Sequence, residues 1–176
     1  MPNNSDNTHS RLDDAQLERL HLYAAKLAEL VGHNKVYRCF CRRDVLEEKQ
    51  YAQLQAGKLA RYDRTCGILA KEKIQRKIDA KLPYIWRLVI NDQQIFEVRD
   101  RSRGKVLIEM CNFTDFPLTN YDGSFTPVFM SFIDDWLVFN TPIICVRESL
   151  ADTAFRVALY DAFMLKIPAF SQISDK

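Results

Sequence analysis

Residues 39–66 read CFCRRDVLEEKQYAQLQAGKLARYDRTC, with Cys39 and Cys41 bracketing one aromatic and Tyr62 and Cys66 closing the stretch. Zinc takes four tetrahedral N, S or O ligands, and two thiolates two positions apart reach one ion where the backbone between them turns. Cys39 and Cys41 have that spacing; twenty residues then lead to Tyr62, and three more separate Tyr62 from Cys66. A phenol is an unusual ligand because it ionises only near pH of about 10, although a bound cation moves that value strongly. The same residues also fit a plainer reading, with the cysteines as small buried apolar groups and Tyr62 as a core aromatic.

Outward from this stretch, Leu17, Leu20, Ala24, Leu27 and Val31 recur at helical spacing after Asp13 and Asp14, and Gly32 to Asn34 supplies a stop. KVYRCFC is β-prone. Asp44 with Glu47 three positions on has the form of a capping box for a helix that ends near Gly57. A third helix is expected over 68–81, with Lys71, Lys73, Arg76, Lys77 and Lys81 on its polar surface and Ile74 and Ile78 inward, ended by Pro83. Beyond Pro83 the segments YIWRLVIN, QIFEVR and KVLIEMC read as hairpin-connected strands, and PVFMSFID and PIICV as buried strands. Residues 149–164 return to helical spacing. The sum is a mixed α/β (α+β) layered fold, with a disordered tail over 1–10, a helical module over 11–82 and a strand-rich part over 83–176.

At 176 residues the chain has room for one domain with a core, and 47% hydrophobic with 27% charged residues is ordinary globular composition. The N-terminus lacks the basic-then-apolar order of a secretory signal, and no apolar run approaches the length of a membrane span, so the expected compartment is cytoplasmic. Five cysteines are an odd number. That disfavours a disulfide framework and leaves thiols, packing or metal. Net charge is only +2, but residues 38–81 carry twelve Lys or Arg against six Asp or Glu, and residues 109–176 carry four against nine. A basic surface fits a polyanion partner; Lys- and Glu-rich helices are also simply solvated.

VYRCFC, RYDRTC, DRSRG, YDGSFT, FIDDW and ALYDAFMLKIPAF follow one another in an order that resembles the glutamyl-tRNA synthetases, and in the cysteine spacing the small glutamyl-Q-tRNA(Asp) synthetases. The resemblance covers about residues 20–173. It implies part of a class I synthetase nucleotide-binding fold with an inserted zinc-type, acceptor-stem-binding module. It also implies Cys39, Cys41, Tyr62 and Cys66 as zinc ligands, since Ile68 stands where the larger family has a fourth Cys or His. Neither phosphate-handling signature of the family is found, so productive ATP binding is not expected.

In the same register the family's Thr-Tyr-Asn becomes Thr126-Pro127-Val128, and its Arg-Gly becomes Cys145-Val146. A carboxylate ligand needs cationic or hydrogen-bonding partners that proline and a neutral thiol do not offer. Pro127, Val128 and Cys145 therefore mark a degenerate amino-acid pocket. Arg42, Arg43, Arg61, Arg64, Lys73, Arg76, Lys77, Arg99, Arg101, Arg103 and Lys105 are the candidates for contact with RNA phosphates. Asp134 and Asp135 read as a strand end whose carboxylates orient the next segment, Trp136 as packing, and Cys111 and Cys145 as core residues. The function expected is a truncated, catalytically degenerate synthetase relative that binds tRNA or a partner protein. Half of a split, or a still active, glutamate–tRNA ligase-type enzyme is one alternative, and a protein-interaction or dimerisation module is the other.

Overall fold

A computed structural model describes residues 14–138 and 143–174, without the side chains of residues 138, 143–148 and 171–174. The expected tail over 1–10 lies outside the described residues. The first helix, α1 (Asp14–Gly32), is where the periodicity puts it. Its inward stripe is rotated from the expected one. Tyr23 and Leu30 are buried, whereas Leu17, Leu20 and Val31 stay exposed. Tyr23 turns the helix: its ring meets Phe125 edge-on, and its hydroxyl donates to Asp134 at 2.7 Å.

The strand β1 (Val36–Cys39) pairs antiparallel with β2 (Ile85–Leu88), so residues from the ranges 11–82 and 83–176 share a two-stranded sheet. Between them lie α2 (Arg43–Gln55) and α3 (Lys71–Asp79). The capping box expected at Asp44 is not formed. Arg42 is the N-cap and makes no side-chain cap hydrogen bond, while Asp44 sits inside the first turn and accepts from Val45 N and Arg42. Gly57, at φ +68°, closes α2 through Gly57 N to Leu54 O and Lys58 N to Gln53 O, the paired bonds of a left-handed helix end. The third helix is shorter than the expected 68–81. It stops ahead of Lys81, which takes φ 52°, and Pro83 follows.

The larger sheet has the order β4-β3-β6-β5. The strands β3 (Ile95–Asp100) and β4 (Gly104–Glu109) form the expected hairpin, but YIWRLVIN does not join it; β2 pairs with β1 instead. PVFMSFID is not a strand. It forms α4 (Pro127–Val138), whose first residue is the proline that suits a helix start. Phe129, Phe132 and Ile133 stand at i, i+3 and i+4 and are fully buried. A short apolar run carries no period of its own, and here helical packing decides it. IICV of the expected strand PIICV lies in β5 (Ile143–Ser149), and Pro142 falls outside the described residues.

Ser149 then caps α5 (Leu150–Ala162) by accepting from Asp152 N. The sequence reading has no counterpart for β6 (Ala169–Ser174), which runs parallel to both β5 and β3. A parallel neighbour needs a long crossover, and α5 supplies it.

The main core joins α1, α4, α5 and both sheets around Phe129, Phe132, Leu159 and Phe170. A second, smaller cluster collects Cys39, Tyr62, Cys66 and Ile85, with Phe40, Cys41 and Tyr121 against it. The β1–β2 ribbon spans the two: Val36 and Leu88 belong to the first, Cys39 and Ile85 to the second.

Candidate metal centre

The end of β1 and the turn before α3 bring three thiols together. The Sγ atoms of Cys39, Cys41 and Cys66 all lie within 4.8 Å of one another, and Cys41 and Cys66 are 3.6 Å apart. Zn–S bonds of about 2.3 Å place the sulfurs of a tetrahedral site about 3.8 Å apart. Small adjustments therefore close the cluster on an ion. Tyr62 Oη lies 3.4 Å from Cys41 Sγ and also accepts from Cys66 N at 3.0 Å, so a fourth oxygen donor stands beside the three sulfurs. Phe40 N donates to Cys66 Sγ at 3.3 Å, the kind of backbone bond that supports a thiolate. The donor set suits a soft, tetrahedral cation, and the Cys39–Cys41–Cys66 cluster can hold a metal ion.

The electrostatics follow from crowding. The hydrogen bond from Cys66, aided by Tyr62, Arg87 and the Cys41 backbone, outweighs burial and brings the Cys39 thiol down to about 4. Cys66 is pushed up, because it donates to the Cys39 thiolate and is buried. Tyr62 is pushed up by burial and by its hydrogen bonds to the three cysteines. The three thiols and the Tyr62 phenol stand close enough that the charge on one depends on the protons of the others. A metal has to displace those protons.

Three residues outside the expected set hold this centre. Asp115, with only 1% of its surface exposed, accepts from Tyr37 Oη at 2.8 Å, from Arg64 through both oxygens and from Ile90 N. It ties β1, the segment before Cys66 and the end of β2 to one carboxylate. Tyr121 Oη donates to the Cys41 carbonyl. Arg87 projects from β2 opposite Tyr37, and its guanidinium lies 4.4 Å from the centre of the Tyr62 ring. In the sequence Arg87 interrupts an apolar strand, but only its register with β1 shows that it faces the cysteines.

The expected RNA contacts separate into groups. Arg42 and Arg43 lie beside Phe40 and Cys41 along an open groove, and Lys77 of α3 lies 5.6 Å from the centre of the Phe40 ring. Lys73 and Arg76 are exposed on the same helix. Arg61 and Arg64 turn to carboxylates of the chain: both pair with Asp92, at 3.0 and 2.7 Å, and Arg64 also holds Asp115. A phosphate would have to compete with those partners. Arg99, Arg101, Arg103 and Lys105 are exposed around the β3–β4 turn, in the other sheet, with Lys105 paired to Glu97.

Pro127 is exposed at the first turn of α4, and Val128 packs on the main core. Cys145 lies on β5 among the side chains outside the description. Cys111 is exposed and is not a core residue as expected, because it follows the last strand residues in a short 3-10 turn. Asp134 and Asp135 lie within α4 rather than at a strand end. They do orient neighbours, Asp134 taking Tyr23 and Asp135 pairing with Arg156 at 2.8 Å. Trp136 packs on Phe132 and Phe163 beneath Lys26.

Comparison with known proteins agrees with this architecture. The glutamate–tRNA ligase of Clostridioides difficile is 34% identical over 155 residues, which are 88% of this chain and 31% of that ligase. That of Hydrogenobaculum sp. is 30% identical over 158 residues, 90% of this chain and 34% of the ligase. A crystal structure of a glutamate tRNA ligase from Elizabethkingia meningosepticum in complex with its amino acid has the same fold over 89% of this chain and 32% of its own, with TM-score 0.76 and 23% identity. The chain thus spans about a third of the length of these relatives. Among the described residues no helix is long and apolar enough to cross a membrane. With the model of the class I tRNA synthetase (E and Q) catalytic domain matching residues 11–175, the chain belongs to that family.

Proposed function

We propose that the chain is an RNA-binding relative of the glutamate–tRNA ligases. A zinc ion at Cys39, Cys41, Tyr62 and Cys66 clips together a surface that takes the acceptor end of a tRNA. Activation of glutamate is not a property of the chain by itself. The observation that carries this reading is a contrast between two sites. The cysteine cluster keeps its ligand geometry and the Asp115 support around it. The pocket positions of the family stand as Pro127, Val128 and Cys145, none of which pairs with a carboxylate.

When bound, zinc would act as a closed structural crosslink rather than a Lewis acid, because protein groups supply all four donors. Arg42, Arg43, Lys73, Arg76 and Lys77 would then meet phosphates on the side of α2 and α3, with Arg99, Arg101, Arg103 and Lys105 as a second contact. Arg61 and Arg64 hold the frame in place. The setting implied is the cytoplasm, where tRNA is charged.

The test is titration with total tRNA at several salt concentrations. Binding whose log affinity falls steeply with log salt supports the reading, since each neutralised phosphate adds about one to the slope. Affinity no better than for a charge-matched control protein defeats it. Glutamate-dependent exchange of pyrophosphate into ATP by the chain alone would overturn the catalytic half of the proposal.

A further inference from the structure

Arg87 is 7% exposed, so its guanidinium is effectively inside the protein. Its Nη1 donates to the Asp115 carbonyl at 2.9 Å, and its Nε has no acceptor. Among the described residues no carboxylate lies within ion-pair distance of it, the nearby Asp115 carboxylate being held by Arg64 and Tyr37. A guanidinium does not deprotonate in a protein, and burying it without an anion is strongly unfavourable. The fold therefore calls for a negative charge beside Arg87 that no Asp or Glu among the described residues provides.

The β1–β2 register supplies a candidate. Arg87 stands opposite Tyr37, on the strand face that also carries Cys39. Three thiolates around a divalent ion leave a net charge of minus one, and one guanidinium cancels it. The 4.4 Å approach to the Tyr62 ring adds a cation to the face of the fourth donor.

We propose that Arg87 is the counter-ion of the Cys39–Cys41–Cys66 metal centre, a positioning residue that neutralises the thiolate cluster and orients Cys39 and Tyr62 toward the ion. This rests on the metal reading above. Outer partners of this kind govern affinity for the ion through the ligands they touch.

The experiment compares zinc affinity, by competition with a chromophoric chelator, and cobalt(II) absorption spectra for the full chain and for Arg87→Gln and Arg87→Lys. Arg87→Gln is expected to bind zinc about tenfold to a hundredfold more weakly. Its sulfur-to-cobalt charge-transfer band should move to lower energy, because the thiolate lone pairs lose a neighbouring positive charge. Arg87→Lys keeps the charge and should stay within about threefold of the parent for a charge-balancing role.

Equal affinity and an unmoved band in a folded Arg87→Gln overturn the role of Arg87 while leaving the metal reading intact. A parent chain that takes up no zinc overturns the metal reading itself. Should Arg87→Gln not fold, Arg87→Lys decides: affinity near that of the parent supports the proposal, and a loss beyond about tenfold overturns it.

Discussion

Tyr62 shows how one side chain serves packing and chemistry together. Its ring is buried against Tyr37 and under Arg87, while its hydroxyl stands between Cys66 N and Cys41 Sγ. Tyr62→Phe keeps the ring and removes only the oxygen, so zinc affinity should fall by about tenfold to a hundredfold with the fold intact. Cys66→Ser removes a sulfur ligand and should abolish uptake at equimolar zinc. Unchanged zinc affinity in Tyr62→Phe beside a loss in Cys66→Ser, read by chelator competition, would argue that Tyr62 is purely a packing residue.

Tyr23 offers a test by pH. Burial and the hydrogen bond to Asp134 push its phenol up to about 12. The unfolded chain releases that proton near pH of about 10, so the stabilisation is complete below that pH and is lost as pH rises through the folded value. The stability gap between the parent and Tyr23→Phe should narrow by on the order of 2 kcal/mol between pH of about 9 and 12, in urea unfolding. A gap that does not change with pH would exclude Tyr23 as the source of the alkaline loss.

At the scale of elements, helix ends were easier to read from the sequence than helix cores. Gly32 to Asn34 and Gly57 announce where α1 and α2 finish, because left-handed residues favour Gly and Asn. The end of α5 carries no such signal. Met164 takes φ 55° and closes the helix through Met164 N to Asp161 O and Leu165 N to Tyr160 O. Met164 is 77% exposed, so its side chain contributes little packing. Met164→Gly should therefore raise the unfolding free energy by up to about 1 kcal/mol, net of the extra freedom glycine has in the unfolded chain. An unchanged or lower urea midpoint would count against strain at this position. The helix α4 was illegible for a different reason. In PVFMSFID nearly every residue is apolar, so period 2 and period 3.6 fit equally well until a neighbour selects one face. The neighbours that select it are α1, through Tyr23 and Asp134, and α5, through Arg156 and Asp135.

The whole molecule has two apolar centres of unequal size, and this sets what metal removal should do. The smaller one gathers Cys39, Tyr62, Cys66 and Ile85, few side chains to hold a loop and two helix ends without an ion. The larger one contains α4 and α5 and does not include the cysteines. Stripping metal with a chelator should speed amide exchange across residues 36–69 while leaving 127–137 and 150–163 protected, by hydrogen exchange with mass readout. A uniform change across the chain would mean that the two centres unfold as one unit. The sequence by itself determined the mixed α/β class, the family, the extents of α1 and α2, the β3–β4 hairpin and the spacing of the four candidate ligands. These depend on local periodicity, turn chemistry and distance along the chain, all of which are written in consecutive residues. Tertiary structure alone decided that PVFMSFID is a helix, that β2 leaves the hairpin to pair with β1, that Arg64 braces Asp115, and that Arg87 faces the cysteines. Each of these depends on which distant segment supplies the partner face, and long-range burial and charge pairing, unlike periodicity, leave no local pattern.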